Sequence, residues 1–206
     1  MIPVKEVCVE SYQEAVAATI AGATRIELCD NLNCGGTTPS YGTIRQIIKK
    51  SPVPVMVMIR PRGGDFVYTQ DEFEIMCSDI AICHQLGADG VVFGLLNHEN
   101  VIDIERTAKL ASLARPMQVT FHKAIDLTTD ILQSVRELKS IGIDHILTSG
   151  GEATAFEGGE MLNKMIEIAG KSIKIIVAGK VTSENFDEVC KQIPSDEYHG
   201  RRLVIF

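Results

Sequence analysis

The stretch RIELCDN, residues 25–31, sets a carboxylate and a thiol two positions apart, at Glu27 and Cys29. VKEVCVE, near the start, repeats the spacing with Glu6 and Cys8. On a β-strand, residues two apart share one face. Carboxylates gathered beside an imidazole can serve as general acid and base. Thiolates are soft ligands that select soft metals such as Cu(I). A guanidinium, Arg60, closes the run VPVMVMIR, and an imidazole, His122, follows QVTF.

Those residues need a frame that turns them toward one another. Short β-rich runs alternate with amphipathic segments along the whole chain. The strands predicted are VKEVCV, RIELC, VPVMVMIR, GVVFGLL, QVTFHKA, HILTSG, IKIIVAG and a weak last one at EYHG. Seven helical segments separate them, and such alternation implies parallel strands joined by crossover helices. Ser11 with Glu14 and Thr69 with Glu72 fit capping boxes. Gly22, Gly87 and Gly142 sit where helices end in a left-handed residue. Phe73, Met76, Cys77, Ile80 and Cys83 recur at helical spacing, so both cysteines read as core-facing. Cys190, between Phe186 and Ile193, reads the same way.

The strand-plus-helix unit is about 27 residues long, close to that of eight-fold barrels. Residues 1–206 therefore read as one α/β domain, a (β/α)8 TIM barrel. A doubly wound open sheet is the alternative, but VCVESYQEA lacks the Gly-rich fingerprint expected after its first strand. The chain stops at RRLVIF, where an eighth helix belongs, so that helix is absent or the segment is irregular. Leu203 to Phe206 then form an apolar tail that needs cover, for instance from a second subunit in a homo-oligomer.

In a barrel, alternate strand residues point inward. That rule collects Glu6, Glu27, Arg60 and His122 inside as a candidate catalytic set, with Cys8 and Cys29 as candidate metal ligands toward the upper rim. Burying charge costs several kcal/mol per group unless it is paired. One reading is an ion-pair network that plugs the barrel. The other is a ligand or metal site at the C-terminal strand ends. The loops there are RPRGGDFVYT, HKAIDLTTD and TSGGEATAFEG. They offer Arg62, Asp65, Asp126, Ser149, Gly150 and Gly151 to a small anionic ligand, since arginines and Gly-Gly backbone suit an anion. The thiols keep two readings as well: small buried hydrophobes, or two sulfurs on neighbouring strands gripping one Cu(I), with Cys34 as a third.

The net charge of −7, with 45% hydrophobic and 23% charged residues, is that of a globular chain and argues against nucleic-acid binding. No signal-peptide core and no membrane-length apolar run is visible. A cytoplasmic setting, with all six cysteines reduced, is expected.

The blocks EVCVES, AGATRIELCDNL, GGTTPSYG, VMIRPRGGDFVY, LGADGVVFG, VTFHKAID and ILTSGGEATAFEG closely resemble the copper homeostasis protein CutC family. The likeness runs from about residue 4 to 160 in order and spacing. It implies a cytoplasmic, often oligomeric (β/α)8 barrel that handles copper, with Cys8 and Cys29 in the motifs proposed to bind it. It assigns no substrate, so two functions stand: a Cu(I)-binding protein, or an enzyme acting by acid–base chemistry on a small anionic metabolite. A third is a barrel that has lost catalysis. The last quarter departs from the family pattern. VAGKV stands where a Gly-Gly-Gly run is usual, Cys34 where an acidic or small residue is usual, and RRLVIF follows HG. A ligand site at strands seven and eight is therefore not expected.

Overall fold

A computed structural model describes residues 2–206. Eight parallel strands close into a barrel in sequence order. They are β1 (Val4–Val9), β2 (Arg25–Leu28), β3 (Val55–Met58), β4 (Gly90–Phe93), β5 (Gln118–Phe121), β6 (His145–Thr148), β7 (Lys174–Val177) and β8 (Glu197–His199). The ring is sealed where β8 lies beside β1, with His199 opposite Glu6. Seven helices cover it: α1 (Tyr12–Ile20), α2 (Tyr41–Lys50), α3 (Gln70–Leu86), α4 (Ile104–Ala114), α5 (Ile131–Ser140), α6 (Gly159–Ala169) and α7 (Phe186–Gln192). The predicted α/β barrel is thus the observed one, and the open-sheet alternative falls because both sheet edges pair.

Among the described residues no helix follows β8. Residues 200–206 turn and make one bridge, Thr182 to Arg202. Leu203 and Val204 are covered by the chain's own atoms, and Ile205 and Phe206 are exposed. The apolar tail is therefore half the expected size.

The main core lies between sheet and helices. Val7, Val9, Ile26 and Leu28 point outward from β1 and β2 into it. Phe73, Met76, Ile80 and Cys83 of α3 belong to the same cluster, where a buried Phe, Met or Ile contributes about 1.5–3 kcal/mol. Cys83 is fully buried, whereas Cys77 and Cys190 are half-buried against the core. The Thr69–Glu72 capping box forms in full. At Ser11 only half of it forms: Ser11 accepts from the Glu14 N–H, but the Glu14 carboxylate reaches back to the Glu10 N–H instead. Gly22, Gly87 and Gly142 all have positive φ, as their places at helix ends require.

Inside the barrel the apolar filling is sparse. Cys29, Met56, Met58 and Val92 form one cluster, and Leu147, Ile176 and Ala178 another. Apart from Gly90 and Gly94, which make room for Met56 and His122, thiol, polar and charged side chains occupy much of the rest, and they build the site.

Candidate functional site

The lower interior is a charge cluster. Arg25 points inward from β2. Its Nε lies 2.5 Å from Glu6 Oε2 and its Nη2 2.5 Å from Glu197 Oε2. His145 stands 3.5 Å from the other Glu197 oxygen. All four are buried. Burial alone would raise the Glu6 pKa, but Arg25 and His199 outweigh it and hold the carboxyl at about 2. Burial likewise opposes the ionised Glu197, and His145 and Arg25 overcome it. Glu6 is therefore a fixed anion and not a group poised to carry protons near neutrality.

One layer higher, His199 joins the two predicted carboxylates. Its Nδ1 is 2.8 Å from Glu6 Oε1 and its Nε2 3.8 Å from Glu27 Oε2. Cys8 is the register partner of Glu27 across the β1–β2 pair. As a result, donor atoms of Cys8, Glu27 and His199 all lie within 4.8 Å of one another. Burial would lower the His199 pKa, but Glu27, Cys8 and Glu6 outweigh it and hold it well above the usual imidazole value. Glu27 is pushed up, mainly by burial.

Cys8 and Cys29 both point inward, but not level with each other. Cys29 follows Glu27 by two residues, so it stands one inward step above the Cys8–Glu27 rung, a rise of about 6.6 Å. Its Sγ lies 3.4 Å from Glu27 Oε2. Burial, with Glu27 beside it, pushes the Cys29 thiol well up. Cys34 lies outside on the 3-10 turn Leu32–Cys34, exposed.

The upper interior holds Arg60 and His122, apart from the charge cluster. Arg60 gives Nη1 to the carbonyls of Cys34 and Gly36 and Nη2 to that of Gly64. It thereby ties the loops after β2 and β3 together. Phe66 stacks on both side chains, 4.7 Å from the guanidinium and 4.8 Å from the imidazole centre. The imidazole fits because residue 94 is glycine: a Cβ there would stand 2.4 Å from His122 Nδ1. Burial, helped by Arg60, lowers the His122 pKa to about 3, so the ring is neutral. Nδ1 accepts from the Ala124 N–H, which leaves the proton on Nε2. That atom, Arg60 Nε and Thr120 Oγ1 are buried without a partner.

The expected anion loops are largely self-occupied. Arg62 binds Glu72 at 2.5 Å and Asp65 at 3.0 Å. The Asp126 carboxylate sits in the cradle after β6. It accepts from the Thr148 hydroxyl at 2.5 Å, the Ser149 N–H at 3.1 Å and the Gly151 N–H at 3.0 Å. Lys123 completes the pairing at 2.8 Å. Gly150 gives its N–H to Thr148. The donors read as waiting for a ligand already have one within the chain.

Sequence reasoning missed Glu197, which pairs with Arg25, and the histidines His145 and His199. The same inward alternation marks them, at HIL of β6 and EYH of β8. It also missed a cavity of about 850 Å³ over the ends of β7 and β8, with His199 in its wall.

Fold and site together define a parallel eight-stranded α/β barrel whose interior carries thiol, carboxylate and imidazole in contact. Comparisons with known proteins narrow that class. The CutC family model matches residues 3–203. The human copper homeostasis protein cutC homolog is 41% identical over 194 residues, covering 94% of this chain and 71% of the relative. The putative copper homeostasis protein CutC of Streptococcus agalactiae superposes with a TM-score of 0.92 at 35% identity, over 98% of this chain and all of that one. This chain belongs to the CutC family. A putative deoxyribose-phosphate aldolase from Coccidioides immitis, at 10% identity and a TM-score of 0.69, covers 97% of this chain and 81% of its own, and shares the fold alone.

Proposed function

We propose that this chain is a cytoplasmic copper-homeostasis protein that binds Cu(I) inside its barrel, with Cys8 as the principal thiolate. The convergence of Cys8, Glu27 and His199 within 4.8 Å carries the reading. Sulfur and imidazole nitrogen suit Cu(I), and Glu27 offers compensating charge. A cation entering there takes the place of the proton the trio holds, so binding releases protons. Cys29, hydrogen-bonded to Glu27, positions that carboxylate and offers a second sulfur one step above. Among the described residues no helix is long and apolar enough to cross a membrane.

Competition with a chromophoric Cu(I) chelator tests it. Cys8→Ser should lose tight binding. Cys29→Ser should weaken it by roughly 10- to 100-fold, as loss of a supporting contact does. If the Cys8→Ser protein holds Cu(I) as tightly as wild type, the site is wrong.

A second reading, an enzyme acting on a small anion, is favoured by the unpartnered Nε2 of His122 and Nε of Arg60. Two buried N–H donors without partners can stabilise a developing oxyanion. In this reading His122 is a neutral donor rather than a base. Glu27 is then the carboxyl available for proton transfer.

A further inference from the structure

The cavity over β7 and β8 is lined by Lys123, Lys180, Arg201 and Arg202, with His199 turned to Glu6, against two carboxylates, Glu14 and Glu184. Lys123 is engaged by Asp126, and Arg201 by Glu10 and Glu14. Lys180 and Arg202 enter no ion pair among the described residues, which leaves two unpaired cations against Glu184. Val181, Val204, Ile205 and Phe206 form an apolar stretch of the wall, beside Thr182, Ser183 and His199.

Both unpaired cations stand on a fixed backbone. Lys180 has φ of 55°, in the left-handed region. Side chains other than glycine rarely adopt that conformation. The Asn185 side chain enforces it, donating to the Lys180 carbonyl at 2.9 Å and accepting from the Thr182 N–H at 2.8 Å. Arg202 is bridged to Thr182, and its carbonyl accepts from the Ser183 N–H at 2.9 Å. Below them Gly200 packs so closely that a Cβ would meet the Val181 carbonyl oxygen at 2.1 Å. A lysine on left-handed backbone and an arginine on bridged backbone, both exposed and without counter-ions among the described residues, stand beside an apolar stretch and form half of a binding site.

We propose that this cavity binds a small organic anion, a phosphate or carboxylate ester-sized molecule with an apolar body, whose charged head is clamped by Lys180 and Arg202. The volume lies within the range of small-molecule sites. The apolar stretch takes the body, and the head faces the cations. The site lies apart from Arg60 and Arg62, borders the loop after β6 through Lys123 and Ala153, and shares His199 with the Cys8–Glu27–His199 trio.

Isothermal titration of the full chain with phenyl phosphate and with inorganic phosphate tests it. Phenyl phosphate should bind saturably, more tightly than phosphate, and more weakly as salt rises. Arg202→Gln and Lys180→Asn should each weaken it by about tenfold or more, as loss of a charged hydrogen bond does. Lys180→Asn should melt at or above the wild-type temperature, because asparagine tolerates left-handed backbone. Cys8→Ser should bind phenyl phosphate as wild type does, so failure of the copper reading leaves this one standing. Equal affinity in wild type and both cation variants, or no saturation above about 1 mM ligand, would overturn it.

Discussion

Replacing Arg25 by methionine removes one charge and leaves two carboxylates facing each other in the barrel. Glu6 titrates at about 2 instead of the ordinary 4.5 because Arg25 and His199 outweigh the burial that opposes its charge. That difference is worth about 3 kcal/mol at neutral pH. Glu197 loses Arg25 in the same step and keeps His145. Removing one member of a buried pair costs about 3–5 kcal/mol; the two carboxylates share Arg25 and each keeps a histidine, so about 4 kcal/mol is expected in total. Domain stability is about 5–15 kcal/mol, so the variant should fold but marginally. Equilibrium urea unfolding at pH 7 should show a lower midpoint at unchanged slope. The sign of the pH dependence follows. In wild type the depressed Glu6 pKa stabilises fully above about 4.5, and that contribution fades as pH falls toward about 2. In the variant, burial without Arg25 raises the folded-state pKa, so acid favours it. The gap should therefore narrow below about pH 4.5. Glu6→Gln with Glu197→Gln in the Arg25→Met background should recover part of the loss. A gap below about 1 kcal/mol at pH 7, or one that widens in acid, refutes the view of this cluster as a tightly coupled buried network.

His122 titrates at about 3. Its imidazole resonances should stay those of the neutral ring down to about pH 4, and stability should fall as pH drops from about 6.5 toward 3, because the unfolded chain takes up a proton that the folded one refuses; a mid-range titration of this ring by NMR would contradict its setting. Gly94→Ala should cost about 1–3 kcal/mol in thermal or chemical unfolding by driving a methyl group into that imidazole. A disulfide reagent should label exposed Cys34 first and reach Cys29 and Cys83 only on unfolding, since both are buried with raised thiol pKa values, Cys83 to about 12. Thr69→Ala should lower stability by about 1 kcal/mol through loss of the α3 cap.

The strands and helices were legible because their signals are local. VMVM, HILT and KIIV are short β-rich runs, and the helices between them carry caps and periodic apolar faces. Alternation correctly turned Glu6, Cys8, Glu27, Cys29 and His122 inward. Their partners were not legible, because partnership depends on stagger between strands, which no single segment encodes. The stagger lifts Cys29 above Cys8 and lays Glu27 beside it. Closure of the ring brings His199 across 193 residues to Glu6. β8 has three residues, two of them polar, so it reads weakly as a strand, yet it supplies Glu197 and His199. Arg62 and Asp126 misled for another reason. Basic side chains and Gly-Gly turns look the same whether they await a ligand or already hold a carboxylate of their own chain.

The Asp126 carboxylate in the cradle after β6 fills that cradle as an anion tethered to the chain. An intramolecular ligand acts at an effective concentration in the millimolar range or above, so a free phosphate must outcompete it before touching those N–H groups. The loop therefore keeps its shape with no guest and discriminates against casual anions. A single substitution at Asp126 would convert a structural plug into an open receptor, which makes this loop a place where a new specificity can arise without remodelling the barrel.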